Sequence, residues 1–272
     1  MRAAVAVTFD NLGEAAELER GQWPDSEPLG RHSSVTRALP RVLELLAELD
    51  LRATFFVEGV NAELYPEALL GIDAAGHEVA LHGWRHEVWS ELDAAQERRL
   101  LKDGVQALDE LGLRPLGFRP PGGRLSSSSV EVFTDVGLTY CSPAGEGAGM
   151  IGRLAVLPFR WALIDAFHYL PSFAGRRRSA LGTPEVLPPV ALRSSLDGAL
   201  QQVRSDGALL TLLFHPFLAE SAERIEVLRA VLSDVRDLAA ADDVVCAPLK
   251  EIAAWMREQP HVSGWKLSLD ES

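Results

Sequence analysis

The feature that most constrains this chain is an alternation: a short apolar run of strand length, then a stretch with helical spacing, over and over. Strand-like runs fall at 4–9, 53–57, 78–81, 116–118, 139–142, 154–158, 209–214 and 243–247. Continuous apolar runs of this kind suit parallel strands that are buried on both faces. Between them, 35–49 repeats Leu39, Val42, Leu43 and Leu46 at helical spacing, with Ser33-Ser34 as a cap. The helical patterns at 65–75, 93–111 and 126–136 stop at Gly76, Gly112 and Gly137. Patterns at 191–203, 222–239 and 249–256 complete the set. Strand then helix, repeated about seven times, predicts an α/β fold with a parallel sheet closed into a barrel. A chain of 272 residues, 47% hydrophobic, suits one such barrel or two small domains. No linker rich in Pro, Gly or Ser divides it, so a single domain over 1–272 is expected.

In such barrels chemistry gathers at the C-terminal ends of the strands. Four of the runs here end on, or run into, polar motifs: Asp10-Asn11, His82 with His86, Arg119 before Pro120-Pro121-Gly122-Gly123, and His215. His82 and His86 are four residues apart, and on a helical turn both imidazoles would share one face and reach one cation. His77 precedes its strand, at the wrong end, and is read as structural. Asp10 could act as a general base toward a water on a metal, or simply cap the next element. Arg119 could hold that carboxylate ionised and oriented. Asp165 could pair with His215 and favour its protonated form, which would make His215 the acid that serves a leaving amine. Together these parts look like a hydrolytic, metal-assisted site. Trp84, Trp89, Trp161 and Phe217 lie near the motifs. They could form an apolar or sugar-stacking wall, with Trp84, Pro120 and Trp161 as substrate contacts, or belong to the core.

Two segments break the rhythm. Residues 11–32 carry Gly, Pro and charge, and 142–152 is glycine-rich; either could be a lid over the strand ends or an ordinary surface loop. Arg176-Arg177-Arg178 reads as a solvated loop.

A net charge of −13 argues against nucleic acid and anionic membranes as partners. No run of about 18 apolar residues occurs, so no spanning helix is expected. The first strand begins almost at once, which leaves no room for a signal peptide and predicts a cytoplasmic protein. Cys141 and Cys246 read as inert buried thiols.

The ordered set Thr8-Phe9-Asp10-Asn11, His82-x-x-x-His86, Arg119-Pro120-Pro121-Gly122, Trp161…Asp165 and Leu213-Phe214-His215 resembles the NodB-type polysaccharide deacetylases, carbohydrate esterase family 4. Residues 53–57 and 75–79 also look like that family's signature stretches, and the likeness covers about residues 3–257. Within the family the chain looks more like the cytoplasmic branch with peptidoglycan-deacetylase-like and allantoinase-like proteins. The resemblance implies a distorted seven-fold β/α barrel and hydrolysis of an N-acetyl group at a divalent metal, usually zinc. It would make Asp10 the base, His82 and His86 metal ligands, Arg119 the orienter of the base and His215 the acid. The expected partner is a small-molecule or oligosaccharide substrate, and a homo-oligomer is left open.

The chain departs from the pattern at Asn11, where the family usually carries a second Asp that serves as third metal ligand. An amide offers an oxygen but no charge, so affinity for zinc should drop. Three outcomes follow. Asn11, His82 and His86 hold the metal more weakly, or Asp10 becomes a ligand; or the site works without metal; or it no longer hydrolyses. The function implied is hydrolysis of a non-peptide carbon–nitrogen bond, foremost N-deacetylation of an acetylated sugar or sugar-bearing small molecule. The alternatives are ring-opening of a cyclic amide or ureide, and a non-catalytic carbohydrate-binding barrel.

Overall fold

The structure, a computed structural model, describes residues 3–241, 244–259 and 266–270. Its strands are, in chain order, β1 (Ala4–Asp10), β2 (Thr54–Val57), β3 (Glu78–Leu81), β4 (Gly117–Phe118), β5 (Tyr140–Cys141), β6 (Gly145–Glu146), β7 (Gly149–Ile151), β8 (Leu154–Val156), β9 (Leu209–Phe214), β10 (Val245–Cys246) and β11 (Ser268–Leu269). Each of the eight apolar runs thus carries a strand; Asp243, the first residue of the last run, lies outside the described residues.

The strands β1, β2, β3, β4, β5 and β8 lie side by side and parallel in that order. On its other edge β1 pairs with β9 from Ala4–Leu209 to Phe9–Phe214. Two strands share the first edge: β10 takes the lower half at Ala4 and Val5, and β2 the upper half from Thr8 to Asp10. An isolated parallel bridge between Ile164 and Leu213 joins the segment after β8 back to β9. The sheet therefore curls into a distorted β/α barrel.

Alternation inside the apolar runs decides what faces the barrel interior. In β1 the bulky Val5, Val7 and Phe9 pack outward with helix residues such as Leu39, Val42 and Leu46. Ala4 and Ala6 belong to a second core cluster, with Phe56, Ala80, Tyr140, Ala155 and the helix residues Leu249, Ile252, Ala253 and Met256. Continuing the same alternation brings Thr8 and then Asp10 to the inner face, with Asp10 at the strand's C-terminal end. The helix Leu249–Glu258 plugs the opposite end. Glu78 secures it: its carboxyl accepts from Thr54 Oγ1 at 2.8 Å, from Tyr140 Oη at 2.9 Å and from the Lys250 N–H at 2.9 Å, while the Leu249 N–H donates to Thr54 Oγ1 at 2.9 Å. These bonds take up N–H groups that the helix start leaves without internal partners.

The helical patterns form much as their spacing predicts. Asp93, with Gln96, makes a reciprocal capping box at the start of Ala94–Glu110. Two expectations need correction. Residues 142–152 are not a free loop over the strand ends: β7 pairs antiparallel with β8, and β6 pairs with β11. Arg176–Arg178 lies in the helix Ala174–Leu181, where Arg177 is fully buried and donates to the carbonyls of Leu170 and Pro184, each at 2.9 Å. Arg176 stacks on the Trp161 ring at 4.3 Å. Among the described residues no helix is long and apolar enough to cross a membrane.

Tyr140 reaches Glu78 only because β4 carries no side chain at Gly117; a Cβ there would lie 1.9 Å from Tyr140 Cζ. Gly117→Ala is therefore expected to lower the unfolding free energy by about 2–4 kcal/mol, through overpacking and loss of the buried Tyr140–Glu78 bond. Denaturant unfolding of the two proteins measures this, and an unchanged midpoint would show that the ring has room to move.

Candidate active site

Asp10, Asn11, His82, His86, Arg119 and His215 line one cavity of about 280 Å³ at the C-terminal ends of the strands. Asp10 is buried, and its Oδ1 accepts from Arg119 Nη1 at 2.7 Å. Arg119 is itself completely buried. It also donates to Thr8 Oγ1 at 2.9 Å and, through Nη2, to Ser142 Oγ at 2.9 Å, and its guanidinium lies 4.1 Å from the Phe56 ring centroid. Burial pushes the Asp10 carboxyl above its ordinary value, and the Arg119 charge works against that. The result is a carboxylate that is fixed in place yet more basic than a solvated one.

The peptide of Arg119 positions the first histidine. Its N–H donates to Leu81 O at 2.9 Å, and its carbonyl accepts from His82 Nδ1 at 2.8 Å. That bond assigns the proton to Nδ1 and leaves Nε2 as a lone pair, 3.8 Å from Asp10 Oδ2. His86 stands nearly perpendicular to His82, with ring centroids 5.0 Å apart. The two do not meet on a helix, as their spacing suggested. The connection after β3 is a non-helical loop in which Gly83 and His86 both adopt positive φ, +77° and +72°. Glu87 holds the loop by accepting from the N–H groups of Trp84 and Arg85, both at 2.9 Å. A side chain at Gly83 would sit 2.6 Å from that carboxylate. Burial lowers both imidazoles to about 3, so both are neutral at physiological pH.

Asn11 also takes a left-handed conformation, φ +59°, and its Oδ1 is buried without a hydrogen-bond partner. A buried carbonyl oxygen left unpaired is costly, and a cation would satisfy it. Among the described residues no three His, Cys, Asp or Glu side chains converge as a metal cluster. Two neutral imidazoles and one amide oxygen are thus at hand for a cation, with Asp10 Oδ2 beside them, 3.8 Å from His82 Nε2.

Asp165 opens the helix Asp165–Tyr169, and its carboxylate receives His215 twice: from Nδ1 at 2.6 Å and from the backbone N–H at 2.7 Å. Burial disfavours a charged His215, but the charge and hydrogen bond of Asp165, with Asp10 adding to them, raise its pKa overall. Pro120, Trp161 and Phe217 line the same cavity, and Trp161 Nε1 is buried without a partner. Trp84 does not line it: its ring packs over Gly59, where a Cβ would come within 2.6 Å. Trp89 is core, 4.4 Å from the Phe118 ring. The segment after β1 contributes Ala16, Glu17 and Arg20 to the cavity, and it is anchored by Glu14, which accepts from the Gly30 N–H at 2.7 Å and from Tyr65 Oη. Residues 142–152 do not reach the cavity. One lining residue that the motifs did not single out is Glu58, the residue after β2. It is fully buried. Its only sequence signal is an acidic residue ending an apolar run, the same signal that marked Asp10.

A family model for polysaccharide deacetylases matches residues 2–141. The chain belongs to the polysaccharide deacetylase family. A peptidoglycan deacetylase from Helicobacter pylori is 34% identical over 103 residues, 38% of this chain and 35% of that protein. The match therefore spans about a third of the length of this curated relative. A solved structure assigned to the polysaccharide deacetylases, from Mycobacterium smegmatis, superposes with TM-score 0.81 and 29% identity over 100% of this chain and 95% of that one. The Puue allantoinase structure superposes with TM-score 0.75 at 20% identity, covering 96% and 92%. That second likeness is one of fold.

The electrostatics make a prediction that needs no substrate. Asp165→Asn removes the main charge that raises His215, so the His215 ring should titrate at lower pH than in the parent protein. NMR titration of the imidazole reads this, and an unmoved titration would mean that Asp165 only shapes the backbone.

Proposed function

We propose that this member of the family is a metal-assisted amide hydrolase that removes an acetyl group from an N-acetylated sugar or a sugar-bearing small molecule, the chain working as a single domain. The observation that carries the reading is a double pairing at one cavity: Arg119 with Asp10, both in its wall, and His215, also in its wall, with Asp165 behind it. One pair is suited to accept a proton and the other to give one.

Asn11 Oδ1, His82 Nε2 and the His86 ring would hold a divalent cation, and zinc suits the imidazoles best. The neutral amide in place of a carboxylate makes the site weaker than an aspartate would. A cation bound there would polarise the acetamide carbonyl and acidify a water. Asp10 takes the proton of the water that attacks the carbonyl carbon, with Arg119 holding the carboxylate through Oδ1. His215 hands its proton to the amine nitrogen as the C–N bond breaks, and Asp165 steadies the charged ring until then. Water and amide become acetate and amine, and the site ends one proton transfer away from its starting state.

Purified protein incubated with a panel of N-acetyl sugars should release acetate, with about one zinc bound per chain. Ring-opening of cyclic ureides without acetate release would replace this reading. Asp10→Asn should lower kcat by about 10²–10⁴-fold, the range for a lost general base, and near-parental activity would remove Asp10 from that role. His82→Ala should strip the metal; unchanged metal content would make the pair structural. The pH profile of kcat/KM should be bell-shaped. Activity falls on the acid side as Asp10 gains a proton, above the ordinary carboxylate value of 3.8. It falls on the alkaline side as His215 loses one, above the ordinary histidine value of 6.5.

A further inference from the structure

Glu58 has no part in the proton transfers above, yet it occupies the site. It lines the cavity with Asp10, Asn11, His82 and His86, and its side chain is fully buried. One carboxyl oxygen is anchored: Oε2 accepts from Asn61 Nδ2 at 3.0 Å, and the same amide donates to Leu12 O at 2.9 Å. The other, Oε1, is buried and has no hydrogen-bond partner. Burial above all, with the nearby Asp10 charge, raises the group well above the usual carboxylate range, against the opposing pull of backbone N–H groups. No cluster of three His, Cys, Asp or Glu that would use it as a metal donor forms among the described residues.

A buried polar atom left unpaired is destabilising, and a site built around one selects a ligand that supplies the missing bond. The rest of the lining says what such a ligand looks like. Phe159, Trp161 and Phe217 offer apolar ring surface, and Trp161 Nε1 is a further buried polar atom without a partner. Apolar faces with hydroxyl edges are the shape of a pyranose. The cavity, about 280 Å³, falls just under the roughly 300–1,000 Å³ usual for drug-sized ligands, which suits one ring and not a chain of them.

We propose that Glu58 is a specificity-determining residue that hydrogen-bonds a hydroxyl of a single N-acetylated sugar ring, so that the site selects a monosaccharide-sized substrate over a polymer. This deepens the deacetylation reading and rests on it.

The test compares the full-length parent protein, Glu58→Gln and Glu58→Leu. The probes are N-acetylglucosamine and tri-N-acetylchitotriose, read by acetate release, by NMR-detected sugar binding and by zinc content. The parent should prefer the monosaccharide in kcat/KM. Glu58→Leu should raise KM for it about 10-fold with kcat and zinc content nearly unchanged, whereas the neutral, hydrogen-bonding Glu58→Gln should stay within about 3-fold of the parent. An unchanged KM in Glu58→Leu, a loss of zinc, or preference for the trimer would overturn the proposal. Should the leucine variant fail to fold, deoxy analogues of N-acetylglucosamine on the parent protein replace it, and no penalty for any missing hydroxyl would overturn the assignment equally. If the parent binds N-acetylglucosamine through Glu58 but releases no acetate, the deacetylation reading fails while Glu58 keeps its role. If it neither binds nor cleaves either sugar, the Glu58 proposal falls.

Discussion

The buried Arg119 guanidinium is the constraint on which the rim of this barrel depends. It joins Thr8 and Asp10 on β1 to Ser142 beyond β5, lies against Phe56 on β2, and through its own peptide group holds Leu81 and His82 at the end of β3. Taking a charged guanidinium out of water is expensive and is tolerated only where the donors find partners and a counter-charge. Here the counter-charge is Asp10. The residue that would serve as base is therefore also the one that lets Arg119 be buried, and the loop bearing the histidines is registered to the same group. Structure and chemistry share these contacts.

The same burial sorts the titratable groups by role. His82 and His86 meet no dominant anion, so burial wins and both stay neutral. His215 is buried too, but Asp165 outweighs the cost and favours its charged form. Asp10 is lifted by burial in spite of Arg119. Three buried histidines thus divide into two held neutral and one shifted toward its charged form, and what separates them is the charge placed beside each ring.

Much of this arrangement was legible in the residues. The eight apolar runs became strands because runs rich in Ala, Val, Leu and Phe suit strands covered on both faces, and strand-end polar residues converged because parallel strands share one rim. What misled was local geometry. His82 and His86 meet through two positive-φ residues and a Glu87 clasp, which residue spacing cannot distinguish from a helical turn. The glycines of 142–152 suggested freedom; instead they permit close strand pairing. Arg177 looked solvated beside two other arginines, yet the backbone carbonyls that accept from it are supplied by segments on either side. Trp84 sat beside the histidines in sequence but points away, onto Gly59. Glu58 was overlooked because a single acidic residue after an apolar run carries no motif.

What the sequence determined by itself was the alternation of strand and helix, the family to which its ordered motifs belong, and the identity of the side chains that strand ends deliver to one rim. These follow from period and order, which are local or additive along the chain. Only the tertiary structure decided the contacts that order along the chain does not give: the Arg119 carbonyl for His82, the Glu87 clasp on the histidine loop, and no partner for Asn11 Oδ1 or Glu58 Oε1. Burial and pairing depend on atoms that arrive from distant positions, so the charge, the tautomer and the unmet hydrogen bonds that define the site exist only once the barrel has closed.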